Sequence, residues 1–222
     1  MTLGSIKFDL FTFSAFYSML PTLVGFVFFK KLKVYFKVLW LSLFLGNLLM
    51  LISNVDVLSK HFNTHYFYYY SILISGICFP LFFSILLRRL QNVILLFPIF
   101  IVIFLSYDYY KTGFKEMNIL PYIFIDFFNI VACILAFRLI SKLDLSLKYF
   151  LGIHLFYSFY DVVINFASSY FYKYLNERIF NLIWYKANPV VGLVYYTFLA
   201  YVFYVASKEQ KPNFEKIKDF NN

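Results

Sequence analysis

Seven stretches of about twenty residues each, all poor in charge, punctuate a chain of 222 residues. They cover residues 10–29, 35–53, 67–87, 90–107, 119–140, 147–171 and 189–206. An α-helix rises about 1.5 Å per residue, so twenty apolar residues make a rod as long as a bilayer's hydrocarbon core is thick. Inside hydrocarbon every backbone amide needs a partner within its own segment, which leaves the helix as the natural form for such runs. The expected fold is therefore all-α, a polytopic transmembrane helical bundle of about seven spans. Only Arg88 and Arg89 separate the third run from the fourth, so a tight turn is expected there. Counting six spans would make 90–107 re-entrant, against its unbroken Ile, Val, Leu and Phe content.

Composition excludes the soluble alternative. Hydrophobic residues make up 62% of the chain and charged residues 14%, with a mean hydropathy of +0.73. Soluble domains are usually about half apolar and a quarter charged. Aromatics reach 25%, with 32 Phe and 21 Tyr, and Tyr suits the headgroup zone because its ring is apolar and its tip polar.

The net charge of +9 does not point to nucleic acid, because the bases form short clusters at the ends of the apolar runs. Alternate connections divide them unequally. Lys30, Lys31, Lys33, Lys37, Arg88, Arg89, Arg138, Lys142, Lys148, Lys208, Lys211, Lys216 and Lys218 fall on one side; Lys7, Lys60, Lys111, Lys115, Lys173, Arg178 and Lys186 fall on the other. The positive-inside rule puts the larger set in the cytoplasm. The expectation is an outside N-terminus, a transmembrane domain over 1–206 and a short basic cytoplasmic tail over 207–222. The first run has only Lys7 ahead of it and no small-residue cleavage pattern, so it reads as a retained span.

Cys78 and Cys133 fall inside apolar runs, which argues against a disulfide framework. No internal repeat, linker or phosphate-binding glycine loop is visible. Prolines at 21, 80, 98, 121 and 189 stand inside or at the start of spans, where they can kink a helix and free carbonyls.

The sixth run carries the most informative pattern. His154, Ser158, Asp161, Asn165 and Ser168 follow at steps of four, three, four and three, which puts them on one helix side that must turn away from lipid. Small and polar residues of this kind can simply join helices. Asp161 asks for more, because a carboxylate at mid-membrane must be protonated, paired or wet. The fifth run answers with Tyr122, Asp126, Asn129 and Cys133 at steps of four, three and four. Counted from the outer surface, Asp126 and Asp161 lie at similar depth. Asn47 and Asn54, Ser71 and Ser75, and Asn188–Pro189 with Tyr195 add polar groups near that level. A polar pocket in the outer half is expected, with Asn47, Ser71, Ser75, Tyr122, Asp126, Asn129, His154, Ser158, Asp161 and Asn165 as ligand-pocket candidates.

Other chemistries weigh less. His61 and His65 sit in an outer loop with Asp56 and Lys60, and no third ligand follows at a telling spacing. One buried His beside two Asp falls short of an intramembrane metal centre, so neither metal nor cofactor is expected. Acid–base catalysis by Asp126 and Asp161 is the alternative to binding, one serving as acid and the other as base. Ser158 stands on one helix face with His154 and Asp161, which does not make a nucleophile elbow. A retinal Schiff base would need a Lys in the middle of the last span, and there is none.

Three stretches, "FKKLKVYFKVLWLSLFLGNLL", "NTHYFYYYSILISGICFPLFFSILLRR" and "NLIWYKANPVVGLVYYTFLAYVFY", resemble an uncharacterised group of seven-helix membrane proteins frequent in Bacteroidetes genomes. Members of that group look to carry Glu in the second and third spans, where this chain has Asn47 and no acid. The resemblance implies a multi-pass protein of a bacterial cytoplasmic membrane and brings no activity with it.

The expected function is a receptor-like, sensory or accessory membrane module that takes a small or lipidic ligand from outside. Its connections and tail are short, so signalling would need a membrane or cytoplasmic partner protein. The alternatives are an intramembrane enzyme resembling a lipid hydrolase and a structural subunit of a membrane complex.

Overall fold

Pro21 decides the first feature of the fold. Without an amide hydrogen it cannot bond the carbonyl four residues back, at Tyr17, and its ring crowds that turn. In the computed structural model, which describes residues 10–54, 64–113, 118–140, 143–171, 182 and 186–209, the first apolar run accordingly breaks. Helix α1 covers Leu10–Tyr17 and α2 covers Met19–Phe28, with Ser18 between them. A 3₁₀ turn, Phe29–Lys31, leads into α3, Val34–Asn54, and α4 follows over Thr64–Leu86. The expected tight turn is the 3₁₀ segment Arg88–Leu90, after which come α5, Gln91–Ile94, and α6, Leu96–Thr112. Helices α7, Leu120–Leu139, α8, Leu145–Phe171, and α9, Asn188–Lys208, complete the described chain, which contains no strand.

Six helical stretches among the described residues are long and apolar enough to cross a membrane: Phe13–Lys31, Val34–Ile52, Tyr66–Leu86, Arg88–Thr112, Leu120–Leu139 and Asn188–Lys208. The more polar α8 is not among them, although its 27 residues span about 40 Å. Side chains pointing out of the bundle are large and apolar, among them Leu23, Phe26 and Val27 on α2 and Phe156 and Phe159 on α8. A soluble fold would hide such faces. These need lipid.

Most prolines start helices here and do not bend them. Pro21 and Pro98 are third residues, and Pro121 and Pro189 second residues, of their helices, where the missing amide costs nothing. Pro80 alone stands in a helix interior among the described prolines, and there it leaves the Gly76 carbonyl without its usual partner.

Packing fixes the helix order that one sequence cannot. Helix α2 packs on α3, α3 on α4, α4 on α7, α7 on α8, α8 on α9, and α9 returns to α2. The six form a closed ring. Helix α6 stands outside it, against α4 and α7, and shows Ile99, Val102, Ile103 and Tyr107 to the surroundings.

The two ends of the ring differ. At the end where α3 and α8 begin and α9 finishes, Phe36, Phe82, Phe150 and Phe203 are wholly buried, with Phe36 ring centroids 6.2–6.5 Å from the other three. This aromatic plug closes the axis. Around it, Lys33 pairs with Asp144, and Tyr35 donates to the same carboxyl at 3.0 Å. Glu209 accepts from the Ser146 amide at 2.8 Å and hydroxyl at 2.6 Å, capping α8 and tying it to the end of α9.

At the other end, α4, α6 and α7 meet on Asp108. The apolar run suggested a fourth span ending at Tyr107 with Asp108 outside it. The helix instead continues to Thr112 and finishes on Gly113, whose φ of 59° is the left-handed form that favours glycine. Asp108 is thereby turned inward, 6% exposed. It accepts from Tyr69 Oη at 2.7 Å and Asn118 Nδ2 at 3.1 Å. Asn118 Oδ1 accepts in turn from the Leu120 amide in the first turn of α7. Cys78 and Cys133 are free and buried.

Candidate functional site

Beyond the aromatic plug the ring axis opens into a cavity of about 250 Å³. Five helices of the ring and the break before the sixth, α2, line it. Ser18 comes from the α1–α2 break, Ser42 and Asn47 from α3, Ser75 and Phe79 from α4, Tyr122, Asp126 and Asn129 from α7, His154, Tyr157 and Asp161 from α8, and Tyr195 and Tyr196 from α9. Helix α6 supplies nothing.

The two stripes predicted on the fifth and sixth runs meet here. Asp126 and Asp161, 6% and 7% exposed, line the same cavity. Tyr122 lines the cavity beside Asp161. His154 Nδ1 lies 2.8 Å from Tyr195 Oη, and its ring is stacked between Phe79, centroids 4.6 Å apart, and Phe150, 5.0 Å. Asn47 holds the α1–α2 break together. Its Nδ2 donates to the Ser18 carbonyl at 3.1 Å and Thr22 Oγ1 at 2.7 Å, and its Oδ1 accepts from Ser18 Oγ at 2.8 Å.

The candidates do not all converge. Asn47, Ser75, Tyr122, Asp126, Asn129, His154 and Asp161 line the cavity. Ser158 is fully buried without being part of the lining. Ser71 turns its hydroxyl back to the Tyr68 carbonyl at 2.8 Å, and half-buried Asn165 stands farther along α8. The side chains of Asn54, His65 and Ser168, and the loop with Asp56, Lys60 and His61, lie outside the described residues. Among the described residues no three His, Cys, Asp or Glu side chains gather as a metal-holding group.

Ser18, Ser42, Tyr157 and Tyr196 were not anticipated. A signal for Ser18 existed. Ser14, Ser18 and Thr22 recur at steps of four and are all buried, a third polar stripe in an otherwise oily run. Ser14 donates to the Pro189 carbonyl at 3.2 Å. It also lines a second cavity, of about 240 Å³, at the start of α9. That cavity shares Ser18, Met50, Tyr157 and Tyr196 with the first.

The polar inventory of the site is incomplete. Asp126 Oδ2, Asn129 Oδ1, His154 Nε2 and Ser158 Oγ are buried and have no hydrogen-bond partner among the described residues. A buried polar atom left in this state costs about 1–3 kcal/mol; Asp126, Asn129 and His154 line the cavity, while Ser158 and a fifth such group, the Tyr160 hydroxyl, stand on α8 outside its lining. No family model matches the chain, and neither the curated proteins nor the solved structures contain a match to it.

Proposed function

We propose that this chain is a receptor-like or accessory membrane module that holds a small or lipidic ligand in the axial cavity. The observation that carries the proposal is that three residues with unpartnered buried atoms, Asp126, Asn129 and His154, line one cavity in a ring closed at one end. A structural subunit would spend its polar residues on helix contacts and satisfy them there. Asn47 and Asp108 do so. Asp126 and Asn129 do not, which supports a site completed by something other than this chain.

In the proposed topology α8 is the seventh membrane helix, since it lies within the ring between α7 and α9. The end bearing Lys30, Lys31, Arg88, Arg89 and Lys208 faces the cytoplasm of a bacterial inner membrane, and the N-terminus lies outside. The cavity then sits in the outer half, and the aromatic plug stands between it and the cytoplasm. The second cavity, opening beside α1 and the start of α9, supports access from the outer leaflet. Short connections leave signalling to a partner protein.

A second proposal, an intramembrane acid–base enzyme, draws on the two carboxyl groups of Asp126 and Asp161 in one cavity. One experiment separates the two. The protein is purified in lipid nanodiscs, co-purifying molecules are extracted and identified by mass spectrometry, and each is returned to the emptied protein. A receptor gains thermal stability from the returned molecule, as mass action requires, and D161N loses that gain while still folding. An enzyme converts the molecule, and D161N abolishes conversion. A cavity from which nothing is recovered, and which no returned lipid stabilises, would sink both.

A further inference from the structure

The axial cavity contains two carboxyl groups and one imidazole, that of His154, which is stacked between Phe79 and Phe150 and hydrogen-bonded to Tyr195. Neither Lys nor Arg lines it beside Asp126 and Asp161, and the ion pair Lys33–Asp144 belongs to the plugged end of the ring. Buried groups of one sign without a counter-charge are among the costliest arrangements a membrane helix can carry. The unpartnered atoms of α7, Asp126 Oδ2 and Asn129 Oδ1, are both acceptors on side chains at least nine-tenths buried. Such a pair repels an anion and asks for a donor or a positive charge. The walls are aromatic as well. Tyr157 and Tyr195 stack with centroids 3.9 Å apart, and Phe79 and Tyr196 share the lining. The faces of such rings attract cations, most strongly where water is excluded. A volume near 250 Å³ has room for about eight groups of water size. That is too large a space for a bare metal ion and enough for an ammonium group with a short tail.

We propose that the cavity binds a small organic cation, a quaternary or protonated amine, held between the carboxyl groups of Asp126 and Asp161 and the rings of Tyr157 and Tyr195. This rests on the cavity being a ligand site and adds the chemical class of the ligand. Asp126 presents its free oxygen to the nitrogen centre. Asp161 supplies the second negative pole. Asn129 accepts from any N–H or O–H that the ligand carries.

The test uses the full chain in maltoside micelles, so that no choline headgroup is present, and isothermal titration calorimetry. The probes are choline, tetramethylammonium and ethanolamine, together with the carbon isostere of choline, in which a tert-butyl group replaces the trimethylammonium. At least one amine is expected to bind saturably. If that amine is choline, its isostere binds at least about ten-fold more weakly, a gap of about 1.4 kcal/mol. D126N lowers the amine's affinity about ten-fold or more. The comparison of choline with its isostere is made on the unaltered protein, so it stands even where D126N fails to fold. Equal binding of the two would overturn recognition of charge and leave the cavity as a ligand site. Binding of none of the four probes, or saturable binding of sodium alone, would overturn the organic cation.

Discussion

Asn47→Ala tests how the broken first span is held. In the structure Asn47 makes three hydrogen bonds to that break, with Ser18 Oγ, the Ser18 carbonyl and Thr22 Oγ1. Bonds between membrane helices average about 0.6 kcal/mol each and reach about 1.7. Removing three should therefore cost about 2 kcal/mol, since Ser18 keeps a bond to the Ala15 carbonyl and is not left stranded. Thr22→Val removes one of the three, so a double-mutant cycle between Asn47→Ala and Thr22→Val should return a coupling near 0.6 kcal/mol. The assay is reversible unfolding in mixed micelles with increasing dodecyl sulfate, followed by helical circular dichroism. A loss under about 0.5 kcal/mol for Asn47→Ala, with no coupling to Thr22, would refute the reasoning. Pro21 alone would then fix the break.

Three further outcomes follow from the same geometry. Asp108→Ala should cost about 1–3 kcal/mol, because it removes the acceptor shared by the Tyr69 hydroxyl and the Asn118 side-chain amide while the bond from the Asn118 backbone amide to Tyr69 Oη stays, and Asp108→Asn should cost less; the same unfolding assay measures both. In Gly25→Ala the new Cβ would collide with Trp40 Cδ1, so the indole must move off the Thr22 carbonyl, which it bonds at 2.8 Å. A loss of about 1–3 kcal/mol and a shifted Trp40 emission are expected, read in a Trp184→Phe background. A fluorescent protein fused to the C-terminus should mature and glow, whereas alkaline phosphatase fused there should stay inactive; the opposite result would reverse the proposed topology.

Helix positions were legible because hydrophobic run length is a local property. Each apolar run matches a helix within a few residues, apart from the breaks at Ser18 and Leu95 and the five residues added after Tyr107. The first and the last arise from single residues: Pro21, which cannot bond Tyr17, and Asp108, which finds Tyr69 and Asn118 only once three helices are assembled. The site was half legible. The stripes through Asp126 and Asp161 could be read from spacing, since a polar residue in an oily helix must turn inward. Their meeting required α7 and α8 to be ring neighbours, which packing decides. Of the tyrosine wall only Tyr195 was legible; Tyr157 and Tyr196 stand among many tyrosines whose number suggested headgroup anchoring. The exclusion of α6 from the ring left no trace in its sequence, where it is the most hydrophobic of the candidate spans.

The polarity of α8 bears on how the protein is made. A segment leaving the ribosome partitions into lipid one by one only if its own transfer free energy is favourable, and an Asp at a helix centre costs about 3 kcal/mol on that scale. On the proposed topology α8 is poorly fitted to cross alone. Only five residues separate Leu139 from Leu145, so α7 and α8 would leave the translocon as a hairpin, their carboxyl groups already shielded by each other's helices. The residues that shape the cavity would thus also set the order in which the bundle is assembled.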